Sequence, residues 1–112
     1  MDKNRDQLDE LVGDVFEVTD LLAYQDGAIV SRTLIDTEAA TVTVFAVDED
    51  QTISEHTAPH EAIMQVLDGT AAVMIDDEEY EVSAGEALVF PADVPHALDA
   101  PERFKMLLTM VR

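Results

Sequence analysis

Residues 66–98 read VLDGTAAVMIDDEEYEVSAGEALVFPADVPHAL: short apolar runs broken at near-regular intervals by turn formers. Asp68-Gly69 lies between AIMQVLDG and TAAVMI and reads as a hairpin turn, because Asp-Gly supplies the positive φ that primed turns require. Asp76-Asp77 joins TAAVMI to EEYEV in a second hairpin, and SAGE at 83–86 turns into ALVF. Pro91 and Pro95 bracket a loop, and Pro101 precedes the run RFKMLLTMV; proline is excluded from central ladders, so all three mark strand ends. Upstream, ATVTVFAV puts Thr41, Thr43, Phe45 and Val47 on one face and Val42, Val44 and Ala46 on the other. Its β-branched character predicts a strand covered on both sides. DEDQ at 48–51 is a turn, and GAIVSRTLI alternates as a further strand. The total is about eight strands with almost no helix after residue 25, the pattern of an all-β sandwich, barrel or jelly roll. Leu8, Leu11, Val12, Val15 and Phe16 form a helical stripe interrupted by Gly13. We therefore divide the chain into a short helical or irregular lead-in, 1–26, and a barrel, 27–112.

Charge and composition exclude several function classes. The 112 residues carry 25 acids against 6 Lys and Arg, a net charge of −19, and no cysteine. Disulfides, zinc ribbons and thiolate catalysis are thereby ruled out. Lys3, Arg5, Arg32, Arg103, Lys105 and Arg112 are too scattered to form an evident basic patch, so neither nucleic acid nor an anionic membrane is an expected partner. With no basic leader followed by an apolar stretch, and no apolar run near 18 residues, the expected setting is cytoplasmic. The acids alternate with strand formers along the whole chain, which predicts an acidic surface on a folded core. That composition resembles the cytoplasmic proteins of extreme halophiles.

All three histidines fall in two short segments, EHTAPHE at 55–61 and PADVPH at 91–96. Imidazole is the commonest metal ligand and titrates near neutrality, so His56, His60 and His96 are the candidates for metal binding or acid/base work. No nucleophile elbow or glycine-rich phosphate loop is present. Met64, Met74, Met106 and Met110, with Phe45, Phe90 and Phe104, are expected to line the barrel as adaptable core filling. Asp76 to Glu79 read as a solvated hairpin tip.

These segments resemble the two motifs of the cupin superfamily, small jelly-roll barrels also described as double-stranded β-helices or RmlC-like folds. The first family motif, G-x5-H-x-H-x3,4-E-x6-G, aligns with Asp50 through His56, Ala58 and Ala62 to Gly69. The second, G-x5-P-x-G-x2-H-x3-N, aligns with Gly85, Pro91, Asp93, His96 and Ala100. The resemblance covers about residues 27 to 111 and is nearest to small single-domain cupins of the type-2 conserved barrel.

In metal-dependent cupins, two histidines and a glutamate of the first motif and one histidine of the second hold the ion. Here His56 and His96 are in register, whereas alanines stand at 58 and 62. The H-x-H spacing suits a shared ion because residues i and i+2 of a strand point the same way about 6.6 Å apart, whereas His60, at i+4, would stand about 13 Å from His56 on a straight strand. Pro59 predicts a bend that brings His60 back, with Glu61 as a further oxygen ligand.

Two function classes follow from the resemblance. One is a cupin module with a degenerate metal site at the barrel mouth, binding a small molecule, a divalent ion (iron, manganese, nickel or zinc) or both. The other is a metal-dependent enzyme of isomerase, dioxygenase or lyase type using His56, His96 and His60. Cupins of this size are commonly dimers, and Val15, Phe16, Leu21 and Leu22 are apolar residues suited to such a contact.

Overall fold

A computed structural model describes residues 10–112 and shows a β barrel preceded by an irregular lead-in. Nine strands follow in order: β1 Ile29–Asp36, β2 Ala40–Val47, β3 Thr52–His56, β4 Glu61–Asp68, β5 Thr70–Ile75, β6 Glu78–Ser83, β7 Ala87–Phe90, β8 His96–Asp99 and β9 Phe104–Val111. They build a five-stranded sheet, β1-β2-β9-β4-β7, facing a four-stranded sheet, β3-β8-β5-β6, all pairs antiparallel. The all-β jelly-roll reading holds. Among the described residues no helix is long and apolar enough to cross a membrane.

Period-2 alternation fills the interior. Ala62, Met64 and Val66 of β4, Phe90 of β7 and Phe104, Met106 and Leu108 of β9 point between the sheets toward Val73, Val82 and Leu98. Met64 and Phe104 are fully buried, each worth about 1.5–3 kcal/mol relative to exposure. Met74 departs from the expected lining: Ala71 and Val73 take the inner face of β5, which leaves Met74 on the other side of the sheet, half-buried. As expected, β2 is covered on both faces, with Val47 buried on one side and Val44 and Ala46 on the other.

The lead-in supplies that second cover. Lys105, paired with Ala46 in the sheet, donates from Nζ to the Thr19 carbonyl at 2.7 Å, and Arg32, paired with Val44, meets Glu10 at 3.8 Å. The one regular piece of residues 14–28 is a 3-10 turn, Val18–Leu21. The expected helical stripe begins at Leu8, outside the described residues; Val12, Val15 and Phe16 are exposed, so the irregular alternative describes residues 12–17. Tyr24 fastens the end of the lead-in. Its hydroxyl donates to Asp68 Oδ2 at 2.6 Å, while Arg103 and Lys105 stand over its ring at 4.6 and 4.9 Å. Two of the chain's six cations thus stand over one aromatic ring.

The turns divide into one confirmation and one correction. Asp76 and Asp77, at φ 48° and 69°, close the β5–β6 hairpin as a two-residue loop between Ile75 and Glu78. Asp68-Gly69 does not close a hairpin: β4 pairs with β7 and β9, and β5 with β6 and β8. Gly69, at φ +74°, is the corner where the chain crosses from one sheet to the other. A Cβ there would lie 2.0 Å from the Arg103 carbonyl oxygen, so close approach as well as φ demands glycine.

Candidate ligand site at the barrel mouth

β3 and β8 place the two registered histidines side by side. His56 is the cross-strand partner of His96, and their rings meet edge to face with centroids 4.4 Å apart. A bulge makes this contact. Ile53 pairs with Leu98 and His56 with His96, so three residues on β3 span two on β8. Plain alternation would set Ile53 and His56 on opposite faces; the extra residue turns both into the same cavity.

That cavity has a volume of about 180 Å³ and opens between the sheets at the barrel mouth. Phe45, Phe90, Leu98, Met106, Leu108 and Met110 line its apolar part. His56, His60 and His96 all reach it, as do Ala58 and Ala62. His96 is buried, His56 is exposed at the rim and His60 is intermediate. β3 ends at His56 and β4 begins at Glu61, so the bend expected at Pro59 exists and returns His60 to the cavity. Glu61 itself is exposed and lines a separate shallow surface with Ile63, Val89 and Val111.

Main-chain contacts fix the two imidazoles. His56 Nδ1 lies 2.8 Å from the Ser54 carbonyl and His96 Nδ1 lies 3.1 Å from the Val94 carbonyl. A carbonyl oxygen only accepts, so each Nδ1 carries a proton, and the neutral form of either ring has its lone pair on Nε2. Phe90 packs on His96 at 4.6 Å between centroids and further limits its rotation. The loops carrying the histidines are also tied together: Asp93 N donates to the Ala58 carbonyl at 2.8 Å.

The donor set falls short of a resident metal centre. Metal-ready Nε2 lone pairs are present on His56 and His96, but methyl groups occupy the positions of a second imidazole and a carboxylate. Among the described residues no group of three or more His, Asp or Glu is placed to hold one ion. His60 shares the cavity without completing such a group.

Comparison with known proteins agrees with this architecture. A model of the Cupin domain matches residues 43–111, which contain both histidine segments. The chain belongs to the cupin family. The cupin is 38% identical to a conserved protein of unknown function from Streptococcus pyogenes, over 89% of this chain and 88% of that one, with a TM-score of 0.86. It is 36% identical to a cupin 2 conserved barrel domain protein from Leptotrichia buccalis, TM-score 0.85, over 87% of this chain and 47% of that one. A cupin superfamily protein from Desulfitobacterium hafniense, 21% identical with a TM-score of 0.84, shares the fold. No curated protein matches.

Within the cupin motifs the backbone is kept where the side chains depart. Asp50 and Asp93 stand where the family motifs have glycine, and both have positive φ, 68° and 63°. Aspartate tolerates that region because its short side chain hydrogen-bonds locally. Sequence reading missed Ile53, Leu98 and Leu108 in the cavity; alternation along β8 and β9 identifies the last two, but the β3 bulge conceals Ile53.

Proposed function

We propose that this cupin is a cytoplasmic small-molecule-binding module that uses the barrel-mouth cavity, with His56 and His96 as its fixed polar pair and no resident three-ligand metal. The observation that carries this reading is the pairing of two anchored imidazoles with the methyl groups of Ala58 and Ala62 in one cavity. Such a cavity, apolar with a few convergent polar groups, has the general form of a small-ligand site. The test is elemental analysis of the purified protein after exposure to excess iron, manganese, nickel or zinc. We expect less than about 0.1 ion per chain, far below the full occupancy of a specific site. Stoichiometric uptake lost in His56→Ala and His96→Ala overturns the reading.

One observation favours the metal-dependent enzyme as a second reading. Carbonyl-anchored Nδ1 atoms that leave Nε2 free are the arrangement metal-binding histidines use. In that reading His56 and His96 hold the ion, with His60 as the third ligand, and uptake reaches about one ion per chain.

We propose in addition that two copies associate. Val15 and Phe16 on the lead-in and Ile63, Val89 and Val111 on the outer face of the five-stranded sheet are exposed apolar side chains, the surface that a second copy would cover. Leu21 and Leu22, also expected there, are half-buried.

A further inference from the structure

We infer that the ligand is a neutral, single-ring molecule bringing its own hydrogen-bond donor, that is, a small phenol. The inference rests on the reading of the cavity as a small-molecule site and adds the chemistry of the occupant.

The polarity of the histidine pair carries the argument. Both Nδ1–H groups are spent on main-chain carbonyls, so what His56 and His96 offer the cavity is two Nε2 acceptors. A ligand with acceptors alone leaves Nε2 of the buried His96 unsatisfied, and desolvating an unpaired acceptor is costly. An O–H donor satisfies one directly. His60 makes no side-chain hydrogen bond among the described residues, so its tautomer is free to follow the ligand.

Charge excludes the alternatives. Among the described residues no lysine or arginine lines the cavity, and the chain carries −19 overall, so with the imidazoles in their neutral form a carboxylate or phosphate finds no counter-ion there. Among the described residues no aspartate or glutamate lines it either, so an ammonium group would lose its hydration without a partner. The occupant is therefore uncharged.

Size and shape supply the ring. The cavity of about 180 Å³ is slightly larger than the roughly 150 Å³ apolar cavity that admits benzene. Phe45 and Phe90 offer aromatic surfaces, and Met106 and Met110 adjust around a flat guest. With its ring against Phe45 and Met106, a phenol directs its hydroxyl toward the histidines.

The test follows the methionine methyl resonances of the chelator-treated, full-length protein at about pH 8, above the ordinary imidazole range. The probes are phenol, toluene and benzoate. Toluene, of the same size but without a donor, reports the cavity alone. Phenol and toluene are expected to shift the Met106 and Met110 methyls, and benzoate to leave them in place. The ratio of phenol to toluene affinity, which cancels the difference in hydrophobicity, is expected to fall about tenfold in His96→Leu, the worth of one good hydrogen bond. His56→Leu, at the exposed rim, carries the same test where the buried substitution prevents folding. An unchanged ratio in the folded variants, or tighter binding of benzoate than of phenol, overturns the donor inference while toluene binding keeps the cavity reading. Binding of neither phenol nor toluene overturns both.

Discussion

Ala58 and Ala62 are the residues at which this barrel departs from a metal-holding cupin, and both stand on the cavity wall. If the scaffold is otherwise intact, restoring the two side chains should restore the chemistry. The double variant Ala58→His, Ala62→Glu is expected to raise zinc or manganese content from under about 0.1 to about one ion per chain, measured by elemental analysis after dialysis. Gly69 tests the opposite case, a residue held by backbone alone. Gly69→Ala drives a methyl group into the Arg103 carbonyl and is expected to cost about 2–3 kcal/mol in denaturant unfolding. At this scale the sequence was informative where the motif spacing is specific. His56 and His96 were legible as a pair because turns fix their places, and Asp50 and Asp93 because they stand at glycine positions. The acceptor character of the pair was not legible, since it depends on carbonyls two residues upstream that only the folded loops aim.

Strand assignment followed from alternation, and β2, β6 and β9 lie where their patterns put them. Pairing was harder. Asp68-Gly69 signals a positive φ, but that signal says nothing about whether the next strand stays in the same sheet. The β3 bulge was hidden for a related reason, because an extra residue leaves no mark in composition. The lead-in is the element whose role sequence reading understated, and Tyr24 is its fastening. Burial, and then the hydrogen bond to the Asp68 carboxylate, push the Tyr24 phenol well above its ordinary value. The folded chain therefore keeps a proton that the unfolded chain releases above about pH 10. The Tyr24 contribution to stability is fully present below that pH and is lost as pH climbs toward the folded value. Tyr24→Phe is expected to start roughly 1 kcal/mol less stable at neutral pH and to show a flatter alkaline decline, read from urea midpoints across pH.

The whole molecule is governed by its charge of −19. Self-repulsion at low ionic strength opposes both compactness and association of copies. The melting temperature is expected to rise between about 0.05 and 2 M salt, and the dimer fraction by light scattering to rise with it. A melting temperature and mass indifferent to salt would contradict this. The acidic surface was plain in the sequence, whereas the apolar surface of Ile63, Val89 and Val111 was not, because it joins residues from three strands. One last consequence attaches to the Asp93 amide, which ties the second-motif loop to the Ala58 carbonyl across the cavity mouth. Parting the loops breaks that bond, so deuterium uptake at this single amide records how often the mouth gapes. A guest that bridges the loops slows the uptake, giving a label-free reporter for screening compounds before any activity is known.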